Sequence, residues 1–158
     1  MTNRLGDPDH LDFGVLLALA YSGFVDELRA GLAEHGYDDL NWSFGYVARA
    51  LAETPLTLTE LAARLEVTSP GALKIVDDME EHGYLERVAD AVDGRAKRLH
   101  LTKRGHAALL AARALHRRFE AKLAGRVGAR QAATCRKVLE EIVLGRGAAG
   151  RPPALRPV

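Results

Sequence analysis

The sequence predicts a mainly α-helical fold with one small β-hairpin: a central helix-turn-helix and hairpin, with longer helices at the two ends. Three observations predict it. Apolar residues recur at helical spacing over most of the 158 residues, two short central helices have explicit start and stop signals, and a turn-rich loop containing Asp-Gly follows them. A helix-turn-helix followed by a hairpin is a winged helix.

The N-terminal part of the chain predicts two helices. Apolar residues at helical spacing mark the first over about 11–35, with Gly36 as its stop signal, and residues 1–10 are expected to be a flexible N-terminus. A second helix is predicted over about 40–53, before Pro55 breaks it.

The centre of the chain predicts two short helices joined by a three-residue turn. Thr57 and Glu60 have capping-box spacing at the start of the first helix. Ser69 is predicted to cap the second helix, with Pro70 at its first position and Gly83 at its end. The apolar positions are Leu58, Leu61, Ala62 and Leu65 in the first helix, and Ala72, Ile75, Val76 and Met79 in the second.

The segment that follows predicts the wing. Residues 84–89 and 98–101 can each form a short strand, and the loop between them contains Asp93 and Gly94.

The C-terminal part of the chain predicts two further helices. Thr102 is a plausible cap for a long, basic helix that stops near 125–128, and a last helix is predicted over 129–144. The remaining residues, 145–158, are rich in Gly and Pro and are expected to be disordered.

Charge is distributed unevenly, although the net charge is only +1. Residues 1–94 contain 6 Lys/Arg and 18 Asp/Glu, whereas residues 95–158 contain 16 and 3. The basic half is a candidate surface for a polyanion, with solvated helix faces as the alternative.

Composition excludes several classes of protein. No apolar run is long enough to span a membrane and no signal peptide is visible, so a cytoplasmic location is expected. The single cysteine, Cys135, excludes an internal disulfide framework, and we expect it to be a buried structural thiol rather than an oxidation sensor. The six histidines lack metal-ligand spacing, so no metal or cofactor is expected. No catalytic constellation is recognisable, and we do not expect an enzyme.

One block of the sequence resembles the MarR family of bacterial transcription regulators: LTLTELAARLEVTSPGALKIVDDMEEHGYLERVADAVDGRAKRLHLTKRGH. It contains Leu-Ala-x-x-Leu in the first motif helix, the Gly83 stop, Asp-Gly-Arg in the wing and Leu-Thr-x-x-Gly at the start of the next helix. The resemblance extends over roughly 11–144.

The resemblance implies a single domain over 11–144 that works as a homodimer. The winged-helix lobe would cover about 40–101, and the dimerisation helices about 11–35 and 102–144. A ligand pocket is expected between lobe and dimer region. Long apolar terminal helices agree with packing across a two-fold axis.

The resemblance also implies a DNA-binding surface on the second motif helix and the wing. The expected readout residues on and before the helix are Thr68, Ser69, Pro70, Gly71, Leu73 and Lys74. Those of the wing region are Arg87, Asp93, Arg95, Lys97 and Arg98, with Asp93 resembling the family's aspartate that shapes the arginine loop. Alternatives stay open, because Thr68 and Ser69 can act as caps, Leu73 can be a core residue, and Lys74 can simply be solvated.

Asp77, Asp78, Glu80 and Glu81 make the second half of this helix acidic, where the family commonly places basic residues. This departure favours an alternative function, a winged helix that acts through a protein partner and binds DNA weakly or not at all.

Six of the nine aromatic residues fall within 21–46, the part of the chain that lines the effector pocket in the family: Tyr21, Phe24, Tyr37, Trp42, Phe44 and Tyr46. Core packing is the alternative. Tyr21, Trp42 and Tyr46 combine flat rings with polar groups and are the expected contacts to a small aromatic or phenolic effector. Arg49 and His35 can supply a further polar contact. The expected function is therefore a sequence-specific repressor that binds a near-palindromic operator in double-stranded DNA and is released by such an effector.

Overall fold

The computed structural model describes residues 11–41, 43–90 and 96–145, and places six helices and a two-stranded sheet in them. In chain order the elements are α1 (Phe13–Glu34), α2 (Phe44–Glu53), α3 (Leu58–Leu65), α4 (Ser69–Glu81), β1 (Leu85–Ala89), β2 (Lys97–Leu101), α5 (Lys103–Val127) and α6 (Ala129–Gly145). The predicted mainly α fold with one hairpin wing is confirmed.

The hairpin is antiparallel and is tied to the segment before α3. Leu85 pairs with Leu101 at the root of β1 and β2, and Ala89 pairs with Lys97 at the far end. The backbone N–H of Leu99 also donates to the carbonyl oxygen of Leu56 at 2.8 Å. This isolated bridge beside the two-stranded sheet holds the wing against the helix-turn-helix.

The core of the winged-helix lobe lies between the three short helices, the hairpin and the first turns of α5. Its fully buried side chains include Leu61, Leu65, Val76, Leu85 and Leu99. Burial of each contributes about 2 kcal/mol through the hydrophobic effect. The predicted apolar stripes of α3 and α4 therefore face one another and the sheet.

Two helix starts differ from the sequence prediction. α2 begins at Phe44 rather than near residue 40, because the side chain of Asn41 is engaged with α4 and this segment runs as a loop. Thr68, and not Ser69, caps α4: its backbone is extended, and its hydroxyl oxygen accepts a hydrogen bond from the N–H of Gly71 at 3.2 Å. Thr and Ser are both good N-caps, so residue type alone does not show which of the two caps α4. The backbone conformation decides it.

The two terminal helices leave apolar side chains uncovered. Phe13 at the start of α1 and Leu144 at the end of α6 are each 60% exposed, and α6 contributes no buried residue. Cys135 is exposed for the same reason, which corrects the expectation of a buried thiol. Within the described ranges, no helix is both long and apolar enough to cross a membrane.

Candidate nucleic-acid interface and effector cavity

The turn between α3 and α4 sets the direction of α4, the recognition helix of the motif. At the start of α3, the Thr57 hydroxyl oxygen accepts from the N–H of Glu60 at 3.2 Å, and the Glu60 carboxylate accepts from the N–H of Thr57 at 2.7 Å. α3 stops at Glu66, whose φ of 52° is a left-handed conformation that glycine more commonly adopts at this position. The N–H of Val67 then donates to the carbonyl oxygen of Ala62 at 3.1 Å, so the turn closes without a glycine.

The start of α4 presents most of the expected readout residues to solvent. Gly71 is half-buried, and the exposed residues are Thr68, Ser69, Pro70, Leu73 and Lys74. Leu73 is 42% exposed, so it lies outside the lobe core. The hydroxyl oxygen of Thr68 is occupied as a cap acceptor, although its O–H can still donate to a phosphate.

Arg98 of β2 is held by three contacts with other parts of the lobe. Its guanidinium forms an ion pair with the Asp90 carboxylate, lies 3.7 Å from the Glu60 carboxylate, and donates to the carbonyl oxygen of Pro55 at 3.3 Å. The hydrogen bond with Asp90 raises the pKa of Arg98, and the charge of that carboxylate adds to the effect. Arg98 therefore joins the wing to the start of α3 through contacts within the chain itself.

Two lysines of the expected DNA surface remain available. Lys74 on α4 and Lys97 on β2 are exposed, and neither has an ion pair with an acid in the described part of the chain. The wing residues Asp93 and Arg95 lie outside the described residues. Lys74 and Lys97 are thus the described cations best placed for phosphate contacts.

Arg87 of β1 bridges the acids of the recognition helix. One guanidinium nitrogen lies 2.5 Å from the Asp77 carboxylate, and the other forms an ion pair with Glu80. A third acid, Asp78, accepts a hydrogen bond from the side-chain amide of Asn41. Contacts within the chain therefore partly neutralise the acidic residues of α4. Arg87 makes two of these contacts, so its guanidinium is already engaged.

We predict that Asp77→Asn/Glu80→Gln raises the affinity for duplex DNA by about 3- to 10-fold at 0.1 M salt, because two acids near the phosphates are removed and Arg87 is released. Arg87→Met should lower the affinity by a similar factor. Fluorescence anisotropy with a labelled duplex measures both effects, and Glu86→Gln, an exposed acid on the same strand, is the matched control. Equal affinities for all variants would place this side of α4 outside the DNA interface.

The basic excess of the C-terminal part lies mostly away from the recognition helix. α5 contains seven Lys/Arg residues and α6 contains three. Several are in ion pairs with acids, including Arg104 with Asp39, Lys122 with Glu27 and Arg136 with Glu120. Apart from the first turns of α5, these helices lie outside the winged-helix lobe, so the charge asymmetry by itself does not locate the expected DNA-binding surface.

A polar cluster joins the loop after α1 to the base of the lobe. Arg104 donates to both oxygens of the Asp39 carboxylate at 2.9 and 3.0 Å and to the Tyr84 hydroxyl oxygen at 3.0 Å. Burial, followed by the hydrogen bond to Asp39, raises the pKa of Tyr84 to about 12. Partial burial of Asp39 opposes its ionisation, but the bonds from Tyr84 and Arg104 hold the pKa of Asp39 below its usual value.

Sequence reasoning missed this cluster and the neighbouring Asn41–Asp78 hydrogen bond. The partners are 20 to 65 residues apart in the cluster and 37 apart in the hydrogen bond. Periodicity and capping signals act over a few residues, so no local pattern marks these pairs. Together they connect the loop 37–41 to both α4 and α5.

A cavity of about 800 Å³ lies between α1, the middle of α5 and the winged-helix lobe. Its wall is formed by α1, the loop 37–41, α2 and the middle of α5. Tyr21 and Tyr46, both expected from the sequence, line it and are hydrogen-bonded to each other; Trp42 lies outside the described residues. Burial, followed by the bond to Tyr46, raises the pKa of Tyr21 to about 12, so the Tyr21 phenol is protonated at neutral pH.

Two further polar groups of the cavity come from α2 and α5. Nη2 of Arg49 lies 3.4 Å from Nε2 of His116, and the imidazole ring lies 5.0 Å from the ring of Phe24. His35, the other polar contact considered from the sequence, is not part of the wall; its ring nitrogen is hydrogen-bonded to the carbonyl oxygen of Gly31 at 2.7 Å. His116 was not expected from the sequence.

In the described part of the chain, no three His, Cys, Asp or Glu residues are arranged as a set that could hold a metal ion.

Comparison with known proteins finds similarity to one family over part of the chain and a shared fold over most of it. Residues 39–96 match the model of the MarR family. Comparison with curated proteins gives no match. Among solved structures, the reduced form of MarR from E. coli superposes with a TM-score of 0.67 at 20% identity, covering 84% of this chain and 97% of that one.

Two structures of S. aureus MepR contain bound molecules. A MepR variant bound to an oligodeoxyribonucleotide has a TM-score of 0.61 at 18% identity, covering 87% of this chain and 100% of that one. MepR bound to ethidium bromide has a TM-score of 0.60 at 18% identity, covering 88% and 99% respectively. At these identities the likeness establishes a shared fold.

Proposed function

We propose that the chain binds operator DNA as a homodimer and regulates transcription in the cytoplasm, because residues 39–96 match the MarR family model and the chain shares the fold of MarR from E. coli. The observation that carries the proposal is the exposed start of α4, with Lys74 on the helix and Lys97 on the adjoining wing. A helix in this position can enter the major groove while the wing lies along the phosphates. The protein has no catalytic role or cofactor in this proposal.

The homodimer is supported by the uncovered apolar sides of α1 and α6. The exposed apolar residues of α1 include Phe13, Val15, Leu16 and Leu19, and those of α6 are Val138, Leu139, Ile142, Val143 and Leu144. A monomer rarely leaves so large an apolar surface in water, whereas a two-fold axis would bury both sides. Two winged-helix lobes related by that axis would read a near-palindromic operator with half-sites about one helical turn apart.

The regulator is proposed to be a repressor released by a small aromatic effector that binds in the 800 Å³ cavity. The loop 37–41 forms part of the cavity wall, and Asn41 of that loop contacts Asp78 on the recognition helix. An effector that prefers one position of the loop would thereby prefer one position of α4, and DNA release follows if that position spaces the two helices wrongly. The structural similarity to MepR bound to ethidium bromide supports the proposal that a protein with this fold binds a small aromatic ligand.

A second candidate is a winged helix that acts through a protein partner. The acids Asp77, Asp78, Glu80 and Glu81 on the recognition helix favour it, because phosphates repel them. The internal contacts of Asp77, Asp78 and Glu80 reduce that repulsion, which is why DNA binding is preferred here.

The test replaces the two exposed lysines. We predict that Lys74→Ala/Lys97→Ala lowers affinity for duplex from the upstream region of the chain's own gene by about 10-fold or more at 0.1 M salt, and flattens the slope of log affinity against log salt by about 2. Fluorescence anisotropy at several salt concentrations measures both quantities.

Lys122→Ala/Lys137→Ala is the control, because it removes the same charge from α5 and α6. If both pairs weaken binding equally, the effect is one of net charge and the assigned surface is wrong.

A further inference from the structure

Leu73 is an apolar residue on the exposed face of the recognition helix α4. Its side chain is 42% exposed. The other exposed residues of this helix are Ser69, Pro70, Lys74, Asp77 and Glu81. At about 100° of rotation per residue, Leu73 lies near the middle of the face that these residues form. It is the largest apolar side chain that a partner of this face would meet.

The lobe and the proposed dimer surface leave Leu73 without a packing role. The buried residues of α4 are Ala72, Val76 and Met79, which lie on the other side of the helix. The apolar residues assigned to the dimer surface are on α1 and α6. Leu73 therefore belongs to a different surface from both of these groups.

The recognition helix has few groups that can read bases by hydrogen bonding. Its sequence, SPGALKIVDDMEE, contains no Arg, Asn or Gln, the side chains that make paired hydrogen bonds to guanine or adenine in the major groove. Asp77 and Glu80 could accept from cytosine, but both are engaged by Arg87. Lys74 and the hydroxyl of Ser69 can both be used by phosphates. An apolar contact is therefore the main remaining means of base readout by this helix.

Thymine is the base that offers an apolar group to such a contact. Its C5 methyl group projects into the major groove, where the other bases present hydrogen-bonding groups. The exposed side chains one turn before Leu73 are the short Ser69 and Pro70, which let the start of the helix approach the bases closely. Burial of one methyl group against a leucine changes affinity by about 4-fold.

We propose that Leu73 is a specificity-determining residue that reads one thymine in each half-site through its C5 methyl group. The inference rests on the proposed DNA-binding function, and it names a base that the operator must contain. Two copies of the chain related by a two-fold axis would contact two such thymines. Lys74, the next residue, would bind a phosphate and add affinity without sequence preference.

Deoxyuridine tests the contact, because it pairs with adenine as thymine does and lacks the C5 methyl group. Fluorescence anisotropy with the full chain compares two duplexes of the same upstream sequence, one containing thymine and one containing deoxyuridine throughout. We expect the wild type to bind the deoxyuridine duplex about 15-fold more weakly, which corresponds to about 4-fold for each of two methyl groups. Leu73→Ala should bind the two duplexes almost equally. Alanine favours a helix at an exposed position, so we expect this variant to keep the fold.

Val88→Ala is the matched control, because it removes another exposed apolar side chain of the lobe. Arg87 faces the acids of α4, so the neighbouring Val88 lies on the other side of the sheet. This variant should keep the wild-type ratio of the two affinities. Leu73→Met, which keeps an apolar side chain of similar size, should keep it as well.

Single base replacements locate the contact. Each thymine is replaced by deoxyuridine in turn, and the base read by Leu73 is the one whose replacement weakens the wild type but not Leu73→Ala. Cytosine at that position should bind weakly. 5-Methylcytosine, which carries a methyl group at the same place, should recover about 4-fold per half-site relative to cytosine. Leu73→Ala should not distinguish the two cytosines.

The results separate this inference from the proposed function. Equal affinity of the wild type for the thymine and deoxyuridine duplexes would overturn the role of Leu73 and leave the regulator intact. The same ratio in the wild type and in Leu73→Ala would also overturn it, because the methyl groups would then be read by other residues. A folded chain that binds neither duplex would refute the DNA-binding function and this inference together.

Discussion

Replacing Gly105 with alanine is expected to lower the free energy of unfolding by about 3 kcal/mol or more and to weaken DNA binding with it. A Cβ atom at this position would lie 2.0 Å from the carbonyl oxygen of Tyr84. That oxygen already accepts a hydrogen bond from the N–H of Thr102 at 3.1 Å, and it belongs to the backbone, so no side-chain rotation relieves the clash. The hairpin and the start of α5 must therefore move apart.

Urea unfolding followed by circular dichroism measures this effect. Gly125→Ala is a matched control in the same helix, because an added Cβ there meets no atom within 4 Å. It should leave stability unchanged or raise it by about 0.5–1 kcal/mol, since alanine favours the helix. Comparable midpoints for the two variants would mean that the close approach of Gly105 to Tyr84 is not a constraint on the fold.

Placing acids on the apolar side of α6 is expected to convert the proposed homodimer into a monomer and to lower operator affinity by about 1000-fold, because one lobe alone makes half of the contacts. The variant is Leu139→Asp/Ile142→Asp. These residues are 42% and 38% exposed in the single chain, so the monomer can accept the change, whereas a dimer interface would have to bury four carboxylates.

Sedimentation velocity gives the oligomeric state, and circular dichroism shows whether the helices persist. Lys137→Asp is the control, because it puts an acid on the same helix but on the side opposite Leu139 and Ile142. A monomer that keeps wild-type operator affinity would contradict the two-fold arrangement, and so would a dimer that tolerates both acids.

The elements of the fold were largely predictable because their signals are local. The capping box of Thr57 and Glu60 and the apolar stripes of α3 and α4 depend on residues within one or two turns, and the structure has them where the sequence placed them. One of the errors was also local. Two adjacent good caps, Thr68 and Ser69, differ in backbone conformation, which the sequence does not specify.

The charges of the candidate site were less predictable because they depend on tertiary neighbours. Arg87 was expected to face phosphates, but the hairpin brings it over the acids of α4. Arg49 and His116 are 67 residues apart and become neighbours only when α2 packs on α5. The same residue types in another tertiary arrangement would have different partners, so residue type and spacing alone could not assign their roles.

One titration can show whether two copies of this chain read DNA through α4 and the wing. A fluorescent duplex from the upstream region of its own gene is titrated with the protein in excess unlabelled random duplex, at 50 and 200 mM salt. We expect binding that survives the competitor, saturates at two chains per site, and weakens at least about 10-fold at the higher salt. A folded dimer that binds neither duplex, or that random duplex displaces completely, would contradict it and favour the protein-partner function.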